Sequence, residues 1–372
     1  MSSFLKRIVR LSAFGKVLTI ILLMSLALSY AAPFVHPNTF KLLPIFGLGY
    51  PILIVCTLIF LIIWIIARSR MAILTLVVLL IGGKLHFRLL ALGSEPAEIP
   101  AKEEQLHVLS YNVCLFDLYN ETSGATGEKK AAIFNFLREQ DPDIACFQEF
   151  YQQDKPTTFP TKDSIIKILK ATDYHERFLY SPRGRRNFGV ALFSKYPVIT
   201  KGDVMFETTN TNNGNFCIYA DIVKNQDTFR VYNVHLQSIR LNASDFSIEP
   251  DEEKVEKSTA RKLIDKILIA FPARAEQARK VANHIKTSPY PTIVCGDFND
   301  TPMSYTYNQF DQLLEDSFRE TRKGIGATYI GKVPAGRIDY IFHSADLQAS
   351  DFMIQKEELS DHRAISCKIF KK

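Results

Sequence analysis

The chain has 372 residues, 47% of them hydrophobic, with 45 Lys/Arg against 39 Asp/Glu and a formal net charge of +6 at pH 7. That length holds one large domain plus extras. The net positive charge belongs to residues 1–100, which carry nine basic and two acidic residues; 36 basic and 37 acidic residues follow, so the pI is poor evidence for nucleic-acid binding by the rest of the chain.

The first hundred residues read as membrane. Val17–Ala32 is apolar and follows Lys6, Arg7, Arg10 and Lys16, and Ile45–Ala67 runs 23 residues without a charge, ample for a span of roughly 20. Met71–Gly83 continues through LHFRLLAL to Leu92, and a third span there requires Lys84, His86 and Arg88 to snorkel or to face protein. The basic N-terminus and the Arg68/Arg70 turn mark two cytoplasmic flanks. Three spans then give a multi-pass inner-membrane protein with everything after about residue 93 on the periplasmic or extracellular side. The first segment also fits a signal peptide with SYAA as the cleavage site, and the destination is the same.

Residues 93–104 (GSEPAEIPAKEE) are polar, carry two prolines, and are expected to link the membrane domain 1–92 to a second domain, 105–372. Lys129–Glu139 repeats apolar residues at helical spacing, and the turn DPD leads into the strand DIACFQE. Asp163–Thr172 is a second expected helix. FGVALFSKYPV reads as a strand broken by Lys-Tyr-Pro, with β runs following at Asn215–Val223 and Thr228–Leu236. Ser238–Lys286, with its acidic EPDEEKVE and helical segments Thr259–Ile269 and Ala273–Ile285, reads as a helical excursion. TIVCGDFND, a helix-like Tyr307–Phe318, the turn KGIGATY, RIDYIFHS and a last strand at Ala364–Phe370 complete the pattern. This α/β mixture is richer in strands than a doubly wound protein and predicts two sheets packed face to face with helices outside. The six cysteines form no CxxC or Cys/His cluster and read as small core hydrophobes.

The strand-like runs end in residues suited to phosphate or a metal. LSYN ends at Asn112, IACFQE at Glu149, VYNVH at His235 and TIVCGDFN at Asp297 and Asn299, while RIDYIF holds Asp339 and LSDH supplies Asp361 and His362. Each alone is an ordinary strand-end residue, and Asp-x-Asn equally caps a turn. Together they would bind a hard cation and an anionic substrate. Gly296 lets the backbone turn closely, and Asp297 and Asn299 then project to one side of an extended segment. An acid there can orient or deprotonate water while the amide donates to a phosphate oxygen. A histidine beside an acid can serve as general acid/base or electrophilic stabiliser, and Asp339 is the candidate to fix its tautomer. Glu149 suits Mg²⁺, and Asn112 could add a neutral oxygen. Arg183, Arg185 and Arg186 either grip a phosphate or form a solvated loop.

SYN, QE, NVHL, GDFND-TP, RIDY and SDH, in this order between Gln105 and Phe370, resemble the endonuclease/exonuclease/phosphatase superfamily of metal-dependent phosphohydrolases. The resemblance implies a four-layer α/β sandwich, two packed and mainly antiparallel sheets with outer helices, preceded here by the transmembrane helices. It implies Asn112 and Glu149 as ligands of a catalytic Mg²⁺ that Mn²⁺ could replace, with Asp361 at or near the metal. Asp297 would position the attacking water and Asn299 would contact the phosphate. His235 and His362 would bind and polarise the scissile phosphate, Asp339 orienting His362, and Asn187 matches a position close to substrate. Cys114 departs from the abasic-site endonucleases, which carry an acid two residues after the Asn, and this argues against abasic-site chemistry.

The expected function is a membrane-anchored, Mg²⁺-dependent hydrolase of phosphoesters, most of all phosphodiesters. Its partners would be the lipid bilayer and a phospholipid head group, nucleic acid or small phosphodiester as substrate. The alternatives are an endonuclease acting outside the cytoplasm and a catalytically inactive binding module; against the last, every motif keeps its reactive side chain.

Overall fold

The structure is a computed structural model that describes residues 3–118, 126–157, 159–180, 186–206, 214–239, 253–331 and 336–372. Arg183, Arg185 and part of the acidic stretch after Ser238 lie outside the described residues.

Helices α1 (Ser3–Ala31), α2 (Leu43–Ile66) and α3 (Met71–Gly82) come first, and a turn of 3₁₀ helix joins α3 to the short α4 (His86–Leu89). Three stretches, Ala13–Ala31, Leu43–Ile66 and Met71–Leu89, are long and apolar enough to cross a membrane. Of the three basic residues in the last stretch, two face protein. His86 lies 2.5 Å from the Tyr50 hydroxyl and 2.8 Å from the Leu79 carbonyl, Arg88 is buried, and Lys84 is exposed.

The strands begin with β1 (Ala91–Leu92) and β2 (Leu106–Asn112), followed by α5 (Thr126–Gln140), β3 (Ile144–Gln153), α6 (Thr161–Leu169) and β4 (Asp173–Tyr180). Then come β5 (Arg186–Ser194), β6 (Val198–Asp203), β7 (Phe216–Lys224), β8 (Asp227–His235) and the long α7 (Glu253–Ile285). The chain continues through β9 (Thr292–Asp297), α8 (Tyr305–Asp311), β10 (Glu315–Asp316), α9 (Ser317–Thr321) and β11 (Lys323–Gly324). It closes with β12 (Asp339–His343), β13 (Leu347–Ile354) and β14 (Ile365–Lys371).

Two six-stranded sheets form, in the orders β10-β12-β9-β8-β7-β6 and β13-β14-β2-β3-β5-β4. Only β8–β9 and β2–β3 run parallel within them. The inner faces meet in a core of Val108, Ile144, Val231, Ile293, Ile341 and their neighbours. One outer face packs on α5 and α6 through Ile133, Leu137 and Ile165, the other on α7 and α8 through Ala278, Val281 and Phe310. This is the expected four-layer α/β sandwich.

Alternation places the site. Side chains two apart share a sheet face, so the inner face of β8 reads Val231, Asn233, His235, that of β9 reads Ile293, Cys295, Asp297, and that of β2 reads Val108, Ser110, Asn112. Each row changes from apolar to polar toward the same end, and β12, running antiparallel to β9, begins there with Asp339 opposite Asp297. The inter-sheet core therefore turns into a polar pocket at one end.

Three expectations differ from the structure. The segments Thr259–Ile269 and Ala273–Ile285 form one helix, α7, which runs through Pro272. The stretch Tyr307–Phe318 is broken: α8 ends, β10 pairs with β12, and α9 restarts where the Asp316 carboxylate accepts the N–H groups of Phe318 and Arg319. Strands β4 and β13, both sheet edges, lie where no element was expected. The chain around residues 93–104 is tied to the sandwich: just before it β1 pairs with β11, Gly93 N–H donates to the Arg322 carbonyl at 2.9 Å, and Asp351 N–H donates to Glu95 at 2.9 Å.

The helices are seated on the sandwich through a polar seam. Arg88 reaches Asn308 at 2.7 Å and Asp311 at 2.8 Å, and buried Arg337 bonds the Arg88 carbonyl at 2.9 Å and Asp316 at 2.5 Å. Met303 packs with Leu26, Tyr30, Tyr50 and Leu79. Gly47 on α2 is required there, because a Cβ would stand 2.3 Å from the Met303 carbonyl.

Candidate active site

Asp297 Oδ2 is the hub. It accepts from Asn112 Nδ2 at 3.0 Å, across the two sheets, and from Asn299 Nδ2 at 3.2 Å, and it lies 3.7 Å from His362 Nε2 and 3.8 Å from His235 Nε2. Gly296 has φ +148° and a Cβ there would meet the Val234 carbonyl at 1.9 Å, so glycine lets β9 approach β8 at this point. Asp297 then accepts the Asn299 N–H at 2.8 Å in a turn that holds Asn299 in the left-handed region. Burial raises the Asp297 pKa; the positive charges of His362 and His235 oppose that rise, and the Asp339 carboxylate adds to it.

His362 is buried and its Nδ1 lies 3.0 and 3.1 Å from the two oxygens of Asp339. Burial alone would lower its pKa, but the charges of Asp339 and Asp297 override burial and push it up to about 10. The Tyr329 ring packs edge-on against it at 5.0 Å. His235 is equally buried, yet neither ring nitrogen has a hydrogen-bond partner among the described residues.

Glu149 reaches this pocket through a bulge. Gln148 belongs to the inner face of β3, so Glu149 would alternate outward; instead the β3–β5 register shifts between Phe147 and Phe150, and Glu149 takes φ +50°. Its carboxylate ends 3.9 Å from His235. Asp361 lies beside the Cys114 thiol, whose pKa rises through burial and through the charges of Asp361 and Glu149. Ser360 ties this segment to β2 by donating to the Asn112 carbonyl at 2.9 Å.

Asn112, Asp297, Asn299, His235, Asp339 and His362 thus converge, with Glu149 and Asp361 at the same end. Asn299 directs its two amide hydrogens at Asp297 and at the Leu236 carbonyl, 3.0 Å away, so in this arrangement it holds Asp297; a phosphate contact requires it to release one of them. Asn187 stands apart, bonded to Asp154 at 2.8 Å with its amide oxygen buried and unpartnered, and Arg186 beside it is exposed.

Sequence reasoning passed over the supports. Gln148 donates to Asn233 at 2.7 Å, and Asn233 donates to the Phe147 and Ala191 carbonyls at 2.9 Å each, an amide bridge between the sheets beneath the site. Arg274 of α7 braces the segments that follow β8 and β9 through the Gln237 carbonyl at 2.6 Å and Asp300 at 3.2 Å. Two amides on inner strand faces were the available signal for the first; nothing local marks Arg274.

The donors fit a divalent cation. Glu149, Asp361 and Asn112 Oδ1 are hard oxygens, and a buried imidazole without a protein partner marks a group that meets a ligand. Asp297, Asp339 and His362 also offer ligand atoms within 4.8 Å of one another, although the Asp339–His362 bond engages two of them.

A four-layer sandwich with carboxylates, amides and histidines at one end of its sheets defines a class of phosphoester hydrolases. The chain belongs to the endonuclease/exonuclease/phosphatase family, whose model matches residues 109–362. Members of this family cleave phosphoesters, nucleases and phosphatases among them, and generally depend on a divalent metal. Residues 10–89 match a separate model described as a domain of unknown function (DUF8431). No curated protein matches the sequence. Among solved structures, the chain is similar to an endonuclease/exonuclease/phosphatase from Beutenbergia cavernae, at 16% identity and TM-score 0.51 over 72% of each chain. It is also similar to a family protein from Leptotrichia buccalis, at 19% identity and TM-score 0.50 over 71% of this chain and 99% of that one. The catalytic domain of human Nocturnin aligns at 16% identity and TM-score 0.50 over 74% of this chain and 97% of that one. These likenesses extend the family fold.

Proposed function

We propose that the chain is a membrane-anchored, Mg²⁺-dependent hydrolase of phosphoesters, acting by preference on phosphodiesters, with Mn²⁺ able to replace Mg²⁺. One observation carries the reading: a buried His235, with no hydrogen-bond partner among the described residues, faces Glu149 and Asp297 beside an independently fixed His362–Asp339 pair. Residues 1–92 form the membrane part, 93–104 the docked connection and 105–372 the catalytic unit. With the N-terminus and the Arg68/Arg70 turn in the cytoplasm, three crossings of the inner membrane leave the catalytic unit on the periplasmic or extracellular side.

Glu149, Asn112 and Asp361 hold the cation, which when bound offsets phosphate charge and activates water. Asp297, its pKa raised by burial, takes the proton of the attacking water, and Asn299 keeps its carboxylate aimed. His362, kept charged by Asp339, donates from Nε2 to a phosphate oxygen, and His235 does so from the other side. The new P–O bond forms to water, the P–O bond to the leaving group breaks, and the departing alkoxide takes its proton from solvent, to which Asp297 later returns the one it accepted. The exposed Arg186 meets the substrate at the rim, and Asn187, buried against Asp154, stands behind it.

Purified full-length protein should hydrolyse bis(4-nitrophenyl) phosphate faster than 4-nitrophenyl phosphate. EDTA should abolish turnover and Mg²⁺ or Mn²⁺ should restore it. Full activity in chelator, restoration by Zn²⁺ alone, or no turnover with any metal would overturn the reading.

A further inference from the structure

We propose that the chain carries a lipid-chain groove beside its catalytic face, and that the phosphoester it cleaves belongs to a phospholipid of the leaflet next to the catalytic unit. The inference rests on the hydrolase reading above and names its substrate class.

A groove of about 720 Å³ runs between α7, the ends of β4 and β6, the start of β7 and the loop joining α1 to α2. Its volume falls in the range of small-molecule sites. One wall is apolar, with Phe178, Leu179, Met205, Phe206 and Ile269. Met205 and Ile269 are 64% and 72% exposed, an unfavourable arrangement against water that an acyl chain would relieve. The other wall carries Lys41, Arg177, Arg279 and Lys280 against the acids Asp203 and Glu276. Arg177 pairs with Asp203 at 3.4 Å and Arg279 with Glu276 at 2.8 Å, and the wall is net positive only by the count of its charges, a sign that complements a phosphate-bearing head group.

No side chain named at the site lines the groove, but the two share neighbours at one end. Asn215 in its floor donates to the Leu236 carbonyl at 2.8 Å, and the same carbonyl receives Asn299 at 3.0 Å. Phe216, also in the lining, is the register partner of His235. At its outer end stand Asn38 and Lys41, in the loop between two helices long and apolar enough to cross a membrane. Such a loop lies at the bilayer surface, and Phe34 and Phe40 are exposed on it. The seam at Arg88 and the contact of Gly47 with Met303 keep the catalytic unit against this loop. A lipid rising past Lys41 would lay its chains along Ile269 and Met205 and bring its phosphate to His235. A soluble nucleotide would gain nothing from the apolar wall.

Full-length protein in detergent, turning over bis(4-nitrophenyl) phosphate, is challenged with phosphatidylglycerols as competitors. The dioctanoyl lipid should compete about tenfold or more tightly than the dibutanoyl lipid, as burial of added methylenes requires. In Met205→Asp and Ile269→Asp that ratio should collapse toward one; each variant is read by its own ratio, so a change in turnover does not enter. A phosphatidylglycerol with a photoreactive acyl chain should label the segments around residues 203–206 and 268–280. Equal competition by both lipids, a ratio unchanged in both variants, or labelling confined to α1, α2 and α3 would overturn the groove. An unmodified protein silent on the aryl diester would sink the hydrolase reading instead, and the labelling would still decide whether the groove takes lipid.

Discussion

The seam around Arg88 and Arg337 and the site around Asp297 are both buried and both ionic, yet they are built on opposite terms. In the seam every arginine touches an aspartate: Arg88 with Asp311 at 2.8 Å, Arg337 with Asp316 at 2.5 Å, and Arg319 with Asp311. At the site, the buried Asp297 and Asp339 and the half-buried Glu149 and Asp361 outnumber two histidines, and one of those has no hydrogen-bond partner among the described residues. Pairing of buried charge holds a structure together, whereas a surplus is costly unless a ligand answers it. On the proposed reading a cation answers the carboxylates and an anion the imidazoles. Stability and chemistry are therefore separable in this molecule.

The largest expected effect tests that separation directly. Glu149→Gln should lower kcat/KM by about a thousandfold or more, through loss of charge stabilisation in the transition state. Its melting temperature in detergent should not fall, because the substitution relieves surplus negative charge. Arg337→Leu strands the buried Asp316 carboxylate and should cost about 3–5 kcal/mol of stability, with activity lost only as the protein unfolds. Damage to both properties in both variants would dissolve the comparison.

The same contrast explains what the sequence disclosed. The convergent strand ends were legible because a polar residue closing an apolar run stands out, as in TIVCGD and LSYN. Glu149 was found as a residue but not as a bulge, since the left-handed backbone that aims it leaves no local trace when the residue is not glycine. Strands β4 and β13 were missed because edge strands alternate polar with apolar residues, and DYHERFLY reads as a loop. The helical reading of Tyr307–Phe318 failed because Asp316 recruits the backbone as a cap and Arg337 and Tyr307 as partners. The seam was invisible because Arg88 meets residues 220 positions away, and only the tertiary fold joins them.

A smaller effect asks whether the site's pieces act together. Asp339→Asn and His362→Ala should each cost about two to four orders of magnitude in kcat, the scale of general acid–base and charge-stabilising groups. The double variant should be scarcely worse than the worse single, because the carboxylate works only through the ring it orients. Multiplicative losses in a full kinetic cycle would mean that the two bind or act separately, and the site would then be a set of strand ends with no working unit at its centre.

The smallest effect lies within one ring and uses a property the seam lacks. The seam's cations are arginines, which do not titrate in proteins, so pH reaches the site's positive charge alone. Burial by itself would lower the pKa of His362; Asp339, with Asp297 behind it, pushes it up to about 10. A histidine raised in the folded state binds its proton more tightly there than in the unfolded chain. Its contribution to stability is fully present below the ordinary value of 6.5 and is lost as pH rises through about 10. In chelator-treated protein, NMR of the imidazole nitrogens should find His362 charged at pH 8, and Asp339→Asn should move its midpoint down, since the variant removes the largest raising charge and leaves burial in place. A ring that titrates near the ordinary value in the unmodified protein would show that the Asp339 carboxylate does not govern it. The proposed donor to phosphate would then be neutral over most of the working range, and the charge that distinguishes the site from the seam would have to come from the bound cation alone.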